Sequence, residues 1–292
     1  YMVDRIQIAF EKNYLVNSRP VSFSLMDSLI QVDPFEFHIN DGILEGIVTG
    51  GSNPEGHIKM SNFDASVISH FISDERLNIS GIVFGEILGR TKNNGYELDV
   101  DLSLKKGMYM REPFDEMAIS FLYKDGMLHI DDISMTRGQS MGLQANGIIP
   151  VMKDNNKDIP ISLKSTFTNL PLSFVNSFIP DFYKIGGLAT GSLHLDQNSG
   201  KDKKSQFSYD IQISDAVFDI IYLGQVKGSG TYDGNHLHVD TLNSIRGNEI
   251  ITANGSVPYD FNIGSKNFGS FFPEGILDFK TKGNLHSLYF LS

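Results

Sequence analysis

Two histidines and an aspartate on one predicted strand could hold a metal ion. In the stretch HLHVD, His236, His238 and Asp240 alternate along the chain and therefore share one face of the strand. Imidazole and carboxylate groups are common zinc ligands, but the pattern does not supply the further ligand that such a site needs. His129 and Asp131 occupy matching positions elsewhere in the chain. We therefore interpret these residues as a repeated polar face and expect no metal.

Other polar stretches resemble enzyme or ion sites only in composition. Asp99 and Asp101 could be the paired carboxylates of a glycoside hydrolase, but their alternation with leucines predicts a solvated strand face. The DNNKD stretch at 154–158 lacks the glycine and distal glutamate of a calcium loop. The GSGTYDG stretch at 228–234 fits a strand containing glycines better than a phosphate-binding loop. We expect the chain not to be an enzyme and to need no cofactor.

The composition of the chain excludes further classes of function. The 292 residues carry a net charge of −11, and no lysine or arginine cluster forms a stripe that could follow a phosphate backbone, which argues against a nucleic-acid partner. The absence of cysteine excludes disulfides and thiolate chemistry. No apolar run approaches the roughly 18 residues that a membrane-spanning helix needs. Both ends fall within apolar segments, so we expect them to be cuts in a longer protein.

Alternation of apolar and polar residues dominates the sequence and predicts β-strands. In ELDVDLSLKKG, for example, the aliphatic residues point to one side while Glu97, Asp99, Asp101 and Ser103 point to the other. The tripeptides NDG at 40–42, KDG at 124–126 and YDG at 232–234 have the composition of tight hairpin turns. The pattern predicts an all-β, antiparallel chain of about twenty strands.

Two short segments break the alternation and predict amphipathic helices. In DASVISHFISDERL, at 64–77, Val67, Ile68, Phe71 and Ile72 recur with helical spacing. The second segment is LSFVNSFIPDF, at 172–182. Its apolar residues with the same spacing are Phe174, Val175, Phe178 and Ile179. Each segment follows a strand that ends near an asparagine and precedes a strand rich in glycine.

The chain repeats itself at a spacing of about 108 residues. The stretch ANGIIP at 145–150 recurs as ANGSVP at 253–258, and further matches keep nearly the same spacing. They are Val67 with Phe174, Leu102 with Ile211, Tyr123 with Tyr232, and Arg137-Gly138 with Arg246-Gly247. We predict the end of a preceding repeat at 1–56, complete repeats at 57–158 and 159–274, and the start of another at 275–292, all within one continuous β-groove.

The order of these motifs resembles the repeats of the AsmA/TamB-like family of bacterial envelope proteins. A short helix, a strand such as GGLATGSLHL, a strand pair ending in YDGNHLHVDTLNSIRGN and the closing ANGSVP follow one another in both units. The resemblance implies a long, twisted antiparallel sheet curled into an open apolar groove, a β-taco, with one short helix in each repeat. It implies a bridge that carries phospholipid or another acyl lipid between inner and outer membranes.

The resemblance also implies a setting and partners. The protein would lie in the periplasm of a diderm bacterium, anchored to the inner membrane through a segment absent from this sequence. An outer-membrane β-barrel protein would be a further partner. Neither an N-terminal anchor nor the C-terminal domain of the TamB branch can be identified in the 292 residues, so the branch of the family stays open.

The apolar strand faces are expected to line the groove. A sheet with one apolar face must cover it with a second layer, and two short helices are too few, so curling is the simplest arrangement. The expected lining residues are Ile6, Ile8, Phe10, Phe35, Phe37, Ile39, Leu98, Val100, Leu102, Leu104, Met117, Ile119, Phe121, Tyr209, Ile211, Ile213, Leu237 and Val239. Glycines within strands should mark bends, bulges or a wider lumen: Gly85, Gly187, Gly191, Gly228 and Gly230.

Two other classes of function fit the alternation. An elongated β-repeat scaffold would have a packed interior and would bind partners by adding a strand at its edge, for example in outer-membrane protein assembly. A transmembrane β-barrel would also alternate, but with its apolar side chains outward and aromatic girdles at the strand ends. The aromatic residues do not form such girdles, so the groove and the scaffold are the two main hypotheses.

Overall fold

Antiparallel strands make up nearly all of the computed structural model, which describes residues 1–10, 13–26, 29–69, 79–92, 95–109, 112–150, 161–173, 184–197, 204–260 and 278–283. The strands are β1 (Met2–Val3), β2 (Gln7–Phe10), β3 (Asn13–Asn17), β4 (Val21–Met26), β5 (Leu29–Ile39), β6 (Gly42–Thr49), β7 (Glu55–Asp64), β8 (Ile79–Lys92), β9 (Gly95–Tyr109), β10 (Glu112–Lys124), β11 (Met127–Arg137), β12 (Met141–Pro150), β13 (Ile161–Pro171), β14 (Ile185–Gln197), β15 (Ser205–Phe218), β16 (Ile221–Tyr232), β17 (His236–Arg246), β18 (Glu249–Pro258) and β19 (Asp278–Gly283). The single helix is α1 (Ala65–Ser69). The predicted all-β, antiparallel class is confirmed.

Contacts divide the chain into a first unit, Tyr1–Gly138, and a second unit, Gln139–Ser292. In the first unit, each strand from β5 to β10 pairs with the next along the chain. At the other side of β5, both β3 and β4 pair with it, β2 pairs with β3, and β1 pairs with β4. The described pairings form an open sheet.

The second unit is a simple meander. Each strand from β12 to β18 pairs with the next, and all seven pairs are antiparallel. The described pairings of this unit also leave its sheet open. Strands that follow one another in sequence are therefore neighbours in space.

Hairpin turns occur where the sequence predicts them. Between β10 and β11, Asp125 and Gly126 both have positive φ, +52° and +79°, which is the geometry of a type I′ turn. The NDG turn joins β5 to β6 with φ +50° at Asn40, and the YDG turn lies between β16 and β17. The local chemistry of these short polar stretches therefore determines where the strands reverse.

Bulges at an aspartate interrupt the alternation in several strands. Examples are Asp33 in β5, Asp131 in β11 and Asp240 in β17, and each of these side chains is exposed. A bulge adds one residue to its strand, so apolar residues three apart can return to the same face. Ile130 and Ile133 do so, since their partners in β10 are Phe121 and Ile119.

Two asparagines hold the strand ends before the predicted helices. Asn62 and Asn169 have φ of +53° and +45°, a conformation that asparagine tolerates better than most residues. The amide of Asn62 donates to the Asp41 carbonyl at 3.2 Å, and that of Asn169 donates to the Ser140 carbonyl at 2.8 Å. In both cases the asparagine bonds to the turn before the preceding strand.

Further positive-φ residues recur in pairs about 108 residues apart. The pairs are Gly81 with Gly187, Gly85 with Gly191, Lys106 with Asp215, Gly138 with Gly247, and Gly147 with Gly255. The two halves of the chain are therefore alike in backbone conformation at these positions as well as in sequence. The repeat boundaries at 57–158 and 159–274 stay a prediction.

Helix α1 begins where the sequence predicts the first helix. The Asp64 carboxylate accepts a hydrogen bond from the backbone N–H of Ser66 at 2.9 Å, which caps the helix, and Val67 is buried.

Some residues of the sequence predictions lie outside the described part of the chain. They are Phe71 and Ile72, the side chain of Phe10, the loop at 154–158 and the four apolar residues of the second predicted helix. Within the described part of the chain, no helix is long and apolar enough to cross a membrane.

Candidate functional site

The expected groove residues of the first unit share one face of the sheet. Cross-strand partners lie on the same face, and the register aligns them in four rows. The rows are Phe35, Gly46, Ile58, Ile87, Val100, Phe121 and Ile130; Phe37, Leu44, Met60, Gly85, Leu102, Ile119 and Ile133; Val32, Val48, Gly56, Gly89, Leu98, Tyr123 and Leu128; and Phe63, Val83, Leu104, Met117 and Met135. None of these residues is charged. We call them the apolar face of the first unit.

The second unit has a corresponding apolar face. Its rows are Leu163, Leu195, Phe207, Tyr232, Leu237 and Val257; Ser165, Leu193, Tyr209, Gly230, Val239 and Gly255; Phe167, Gly191, Ile211, Gly228, Leu242 and Ala253; and Leu170, Ala189, Ile213, Val226, Ser244 and Ile251. These residues are also uncharged. All predicted lining residues of this unit, from Tyr209 to Val239, lie in these rows.

The remaining predicted residues lie near the start of the chain. Ile39 is buried at 2% exposure and lies opposite Gly42, on the same side of β5 as Phe37. Ile8 lies opposite Leu15 but is 41% exposed. Ile6 is half-buried, and its backbone N–H donates to the Asn17 side chain at 2.6 Å. Phe10 belongs to β2, with its side chain outside the described part.

Burial differs between rows. In the first unit, the row from Phe63 to Met135 is buried, with no member more than 8% exposed, and α1 contacts β8 beside it. Leu102, Ile119 and Phe121 in the neighbouring rows are only half-buried. In the second unit, all large side chains in the rows except Val226 and Tyr232 remain half-buried. Much of the apolar surface in both units is therefore still accessible.

Aromatic rings lie across glycines on the neighbouring strand. A side chain added at the glycine would meet the ring within 3.0 Å in three directly opposed pairs. The pairs are Phe35 with Gly46, Phe114 with Gly107, and Tyr209 with Gly230. The missing side chain lets each ring lie low over the sheet, so the ring adds apolar area with little height.

The glycines expected to mark bends fall into two groups. Gly85, Gly187 and Gly191 have φ of +134°, +116° and +157°, and Gly187 lies at a bulge. Gly228 and Gly230 occupy the apolar face of the second unit in β16, where they leave room beside Ile211 and Tyr209. The first group determines the backbone path and the second group the shape of the surface.

Sequence reasoning missed part of the apolar face because of the bulges. Ile133 and Met135 in β11, and Leu242 in β17, are out of phase with the residues before the bulge, so simple alternation assigns them to the wrong side. The useful signal was two apolar residues three apart with an aspartate between them, as in Ile130 to Ile133.

The opposite face carries the charged residues of these strands together with some apolar ones such as Leu88 and Leu122, and one of its carboxylates is buried. Asp99 and Asp101 are exposed as predicted, whereas the Glu97 side chain is only 6% exposed. The Arg90 guanidinium donates to Glu97 at 2.8 Å from β8, and the Lys124 ammonium lies 3.3 Å away on β10. These partners, led by the Arg90 hydrogen bond, outweigh the effect of burial and lower the pKa of Glu97. Glu97 therefore joins three strands as an anion.

The histidines considered as metal ligands have structural partners. The His238 ring bonds to the Asp233 carboxylate at 2.9 Å, and the His236 and His238 ring centres are 6.0 Å apart. Asp240 is the bulge residue of β17. No group of three or more histidines and carboxylates that could hold a metal occurs among the described residues. His238 instead ties β17 to the turn before it.

Asp233 organises that turn and should make stability depend on pH. Partial burial raises its pKa, but hydrogen bonds from His238 and from the backbone N–H groups of His236 and Asn235 lower it to about 2. Because the folded-state pKa is depressed, this stabilisation is present above the unfolded pKa near 4 and is lost as pH falls towards 2.

We expect Asp233→Asn to lower the free energy of unfolding by about 1 kcal/mol at pH 7, a value reduced for solvent screening at this exposed site. The difference from wild type should shrink below about pH 4. Urea denaturation between pH 3 and pH 7 measures it. A difference that stays constant across this range would contradict the assignment.

Comparison with known proteins gives no relative for this chain. No protein-family model, curated protein or solved structure matches it. The resemblance to AsmA/TamB-like repeats therefore rests on the order of motifs in the sequence and stays a prediction.

Proposed function

We propose that this chain is a segment of a bridge that shields phospholipid acyl chains on an apolar β-sheet surface between the inner and outer membranes of a bacterium. The observation that carries the proposal is the pair of apolar faces, whose rows are uncharged and whose large side chains are in most cases only half-buried. Large exposed apolar surfaces usually mark binding sites.

Hydrocarbon chains suit such a surface. Burying an acyl chain gains roughly 0.8 kcal/mol per CH₂, or on the order of 12 kcal/mol for sixteen carbons. This gain does not depend on direction, so a row of apolar side chains that extends over several strands can hold a chain at many positions. Movement along the surface then requires only small changes in free energy.

The repeated backbone features support an elongated assembly. Positive-φ residues about 108 residues apart, from the asparagine pair to Gly147 and Gly255, are what a repeated structural unit would contain. Repeats extend a surface by stacking similar units. The curled groove, the periplasmic location, an inner-membrane anchor outside this sequence and an outer-membrane β-barrel partner belong to the proposal through the resemblance to the AsmA/TamB-like family.

A packed scaffold is the second candidate. It is favoured by the buried row from Phe63 to Met135, where side chains already fill the space above the sheet. A scaffold for outer-membrane protein assembly would extend such packing through both units and would bind partners at sheet edges.

Native mass spectrometry with lipid extraction separates the two candidates. The chain would be produced in a bacterial envelope, purified without detergent and then offered phospholipid vesicles. We expect co-purifying phospholipid, or uptake from the vesicles, because the apolar faces remain accessible. A folded chain that carries no lipid and takes up none would contradict the bridge and support the scaffold.

A further inference from the structure

Tyr209 lies in the middle of the apolar face of the second unit. Its cross-strand partners are Leu193 in β14 and Gly230 in β16, and Phe207 and Ile211 lie on the same side of β15. The Tyr209 hydroxyl is thus a polar group within a surface of aliphatic and aromatic side chains.

Gly230 determines where this hydroxyl lies. A side-chain carbon added at Gly230 would be 2.8 Å from the Tyr209 oxygen and 3.0 Å from its Cζ atom, so the far end of the ring occupies the space that the glycine leaves. The next residue in the row is Val239 of β17. The ring therefore reaches over β16, and its hydroxyl lies above Gly230.

The hydroxyl makes no hydrogen bond to any described residue, although Tyr209 is half-buried. A phenol in apolar surroundings normally acquires a partner. Burial, with a smaller contribution from the Asp240 carboxylate, raises the pKa of Tyr209, so the group keeps its proton and is available as a donor.

The chemistry around the hydroxyl selects the acceptor. No charged residue belongs to the rows of this face, and the nearby Asp240 carboxylate disfavours a phosphate or a free carboxylate. A neutral acceptor attached directly to a hydrocarbon chain fits best. An ester carbonyl at the head of an acyl chain has both properties.

We infer that the Tyr209 hydroxyl donates a hydrogen bond to the ester carbonyl of an acyl lipid lying on this face. This inference rests on the proposed function, and it adds a specific hydrogen-bond donor that would distinguish ester-linked from ether-linked acyl chains. Tyr209 would then be a specificity-determining residue, while the surrounding rows supply most of the affinity.

Two matched lipids and two matched variants test the inference. A dihexadecanoyl phosphatidylcholine and its dihexadecyl ether analogue differ in the carbonyl groups, and Tyr209→Phe removes the hydroxyl but keeps the ring over Gly230. Tyr14→Phe is the control, since Tyr14 is exposed, lies on the side of β3 opposite Leu15 and belongs to neither apolar face. Binding of each lipid to each chain would be measured by native mass spectrometry and by titration from vesicles.

The expected result is a three- to tenfold preference of the wild type for the ester lipid, the range for one neutral hydrogen bond. Tyr209→Phe should bind both lipids with the affinity of the wild type for the ether, and Tyr14→Phe should keep the preference. Equal binding of both lipids by the wild type, or a preference retained in Tyr209→Phe, would overturn the inference but leave the bridge intact. Binding of neither lipid by the wild type would overturn the proposed function itself.

Discussion

Replacing Ile211 with aspartate is expected to reduce binding of phospholipid at least tenfold. Ile211 lies between Gly191 and Gly228 in its row, so it is the sole side chain across three strands there. An acyl chain covering this position would have to desolvate the new carboxylate without offering it a partner. The same charge should also lower the free energy of unfolding, by roughly 2 kcal/mol.

Gln212→Asp is the matched control for this prediction. Gln212 is the next residue in β15, is exposed and points to the opposite side of the sheet, so the variant adds the same charge without disturbing the apolar face. Lipid uptake is measured by native mass spectrometry, and urea denaturation checks folding. If Ile211→Asp does not fold, Ile211→Thr keeps the branching at Cβ, shortens the side chain by one carbon and adds a milder polar group. Equal lipid uptake by the folded Ile211 and Gln212 variants would refute the binding surface.

The second large effect is expected at Gly85. This residue has φ +134°, and a side-chain carbon there would lie 2.1 Å from the backbone oxygen of Asp101 on β9. Neither strand can move away without losing its ladder of hydrogen bonds. We expect Gly85→Ala to lower the free energy of unfolding by about 2–4 kcal/mol, from backbone strain together with the collision.

Gly89→Ala in the same strand is the control, because it replaces a glycine where alanine causes neither backbone strain nor a collision. Its added carbon would lie 3.7 Å from the nearest atom, a Leu98 methyl group, which is a normal contact. We expect the free energy of unfolding to change by less than about 1 kcal/mol, and it can rise because alanine restricts the unfolded chain. Urea midpoints of the two variants would be compared. Similar midpoints would show that the conformation of Gly85 has no special role.

The predictability of the fold follows from local chemistry. Strict alternation, as in β9 and β15, leaves a chain few choices other than a strand with one apolar side. Turn residues such as Asp125 and Gly126 specify the reversal because their side chains tolerate positive φ. These signals act over a few residues, so they can be identified without knowledge of the partner strand.

The apolar faces were only partly predictable. Residues such as Leu102 and Ile211 were identified because their strands alternate without interruption. Ile133 and Leu242 were missed because a bulge shifts the phase of the strand, and the position of a bulge depends on pairing with a neighbour. The burial of Glu97 could not be predicted for the same reason, because it depends on contacts with Arg90 and Lys124 in two other strands.

The sequence alone determined the strand class, the hairpin turns and the apolar or polar character of the faces of strands that alternate without a bulge, because these depend on the size, polarity and backbone preference of neighbouring residues. Only the tertiary structure decided the register, which assembles Leu193, Tyr209, Gly230 and Val239 into one row. It also decided which side chains in a row are covered and which stay accessible. Register and coverage arise from contacts between residues far apart in the chain, and no local pattern specifies them.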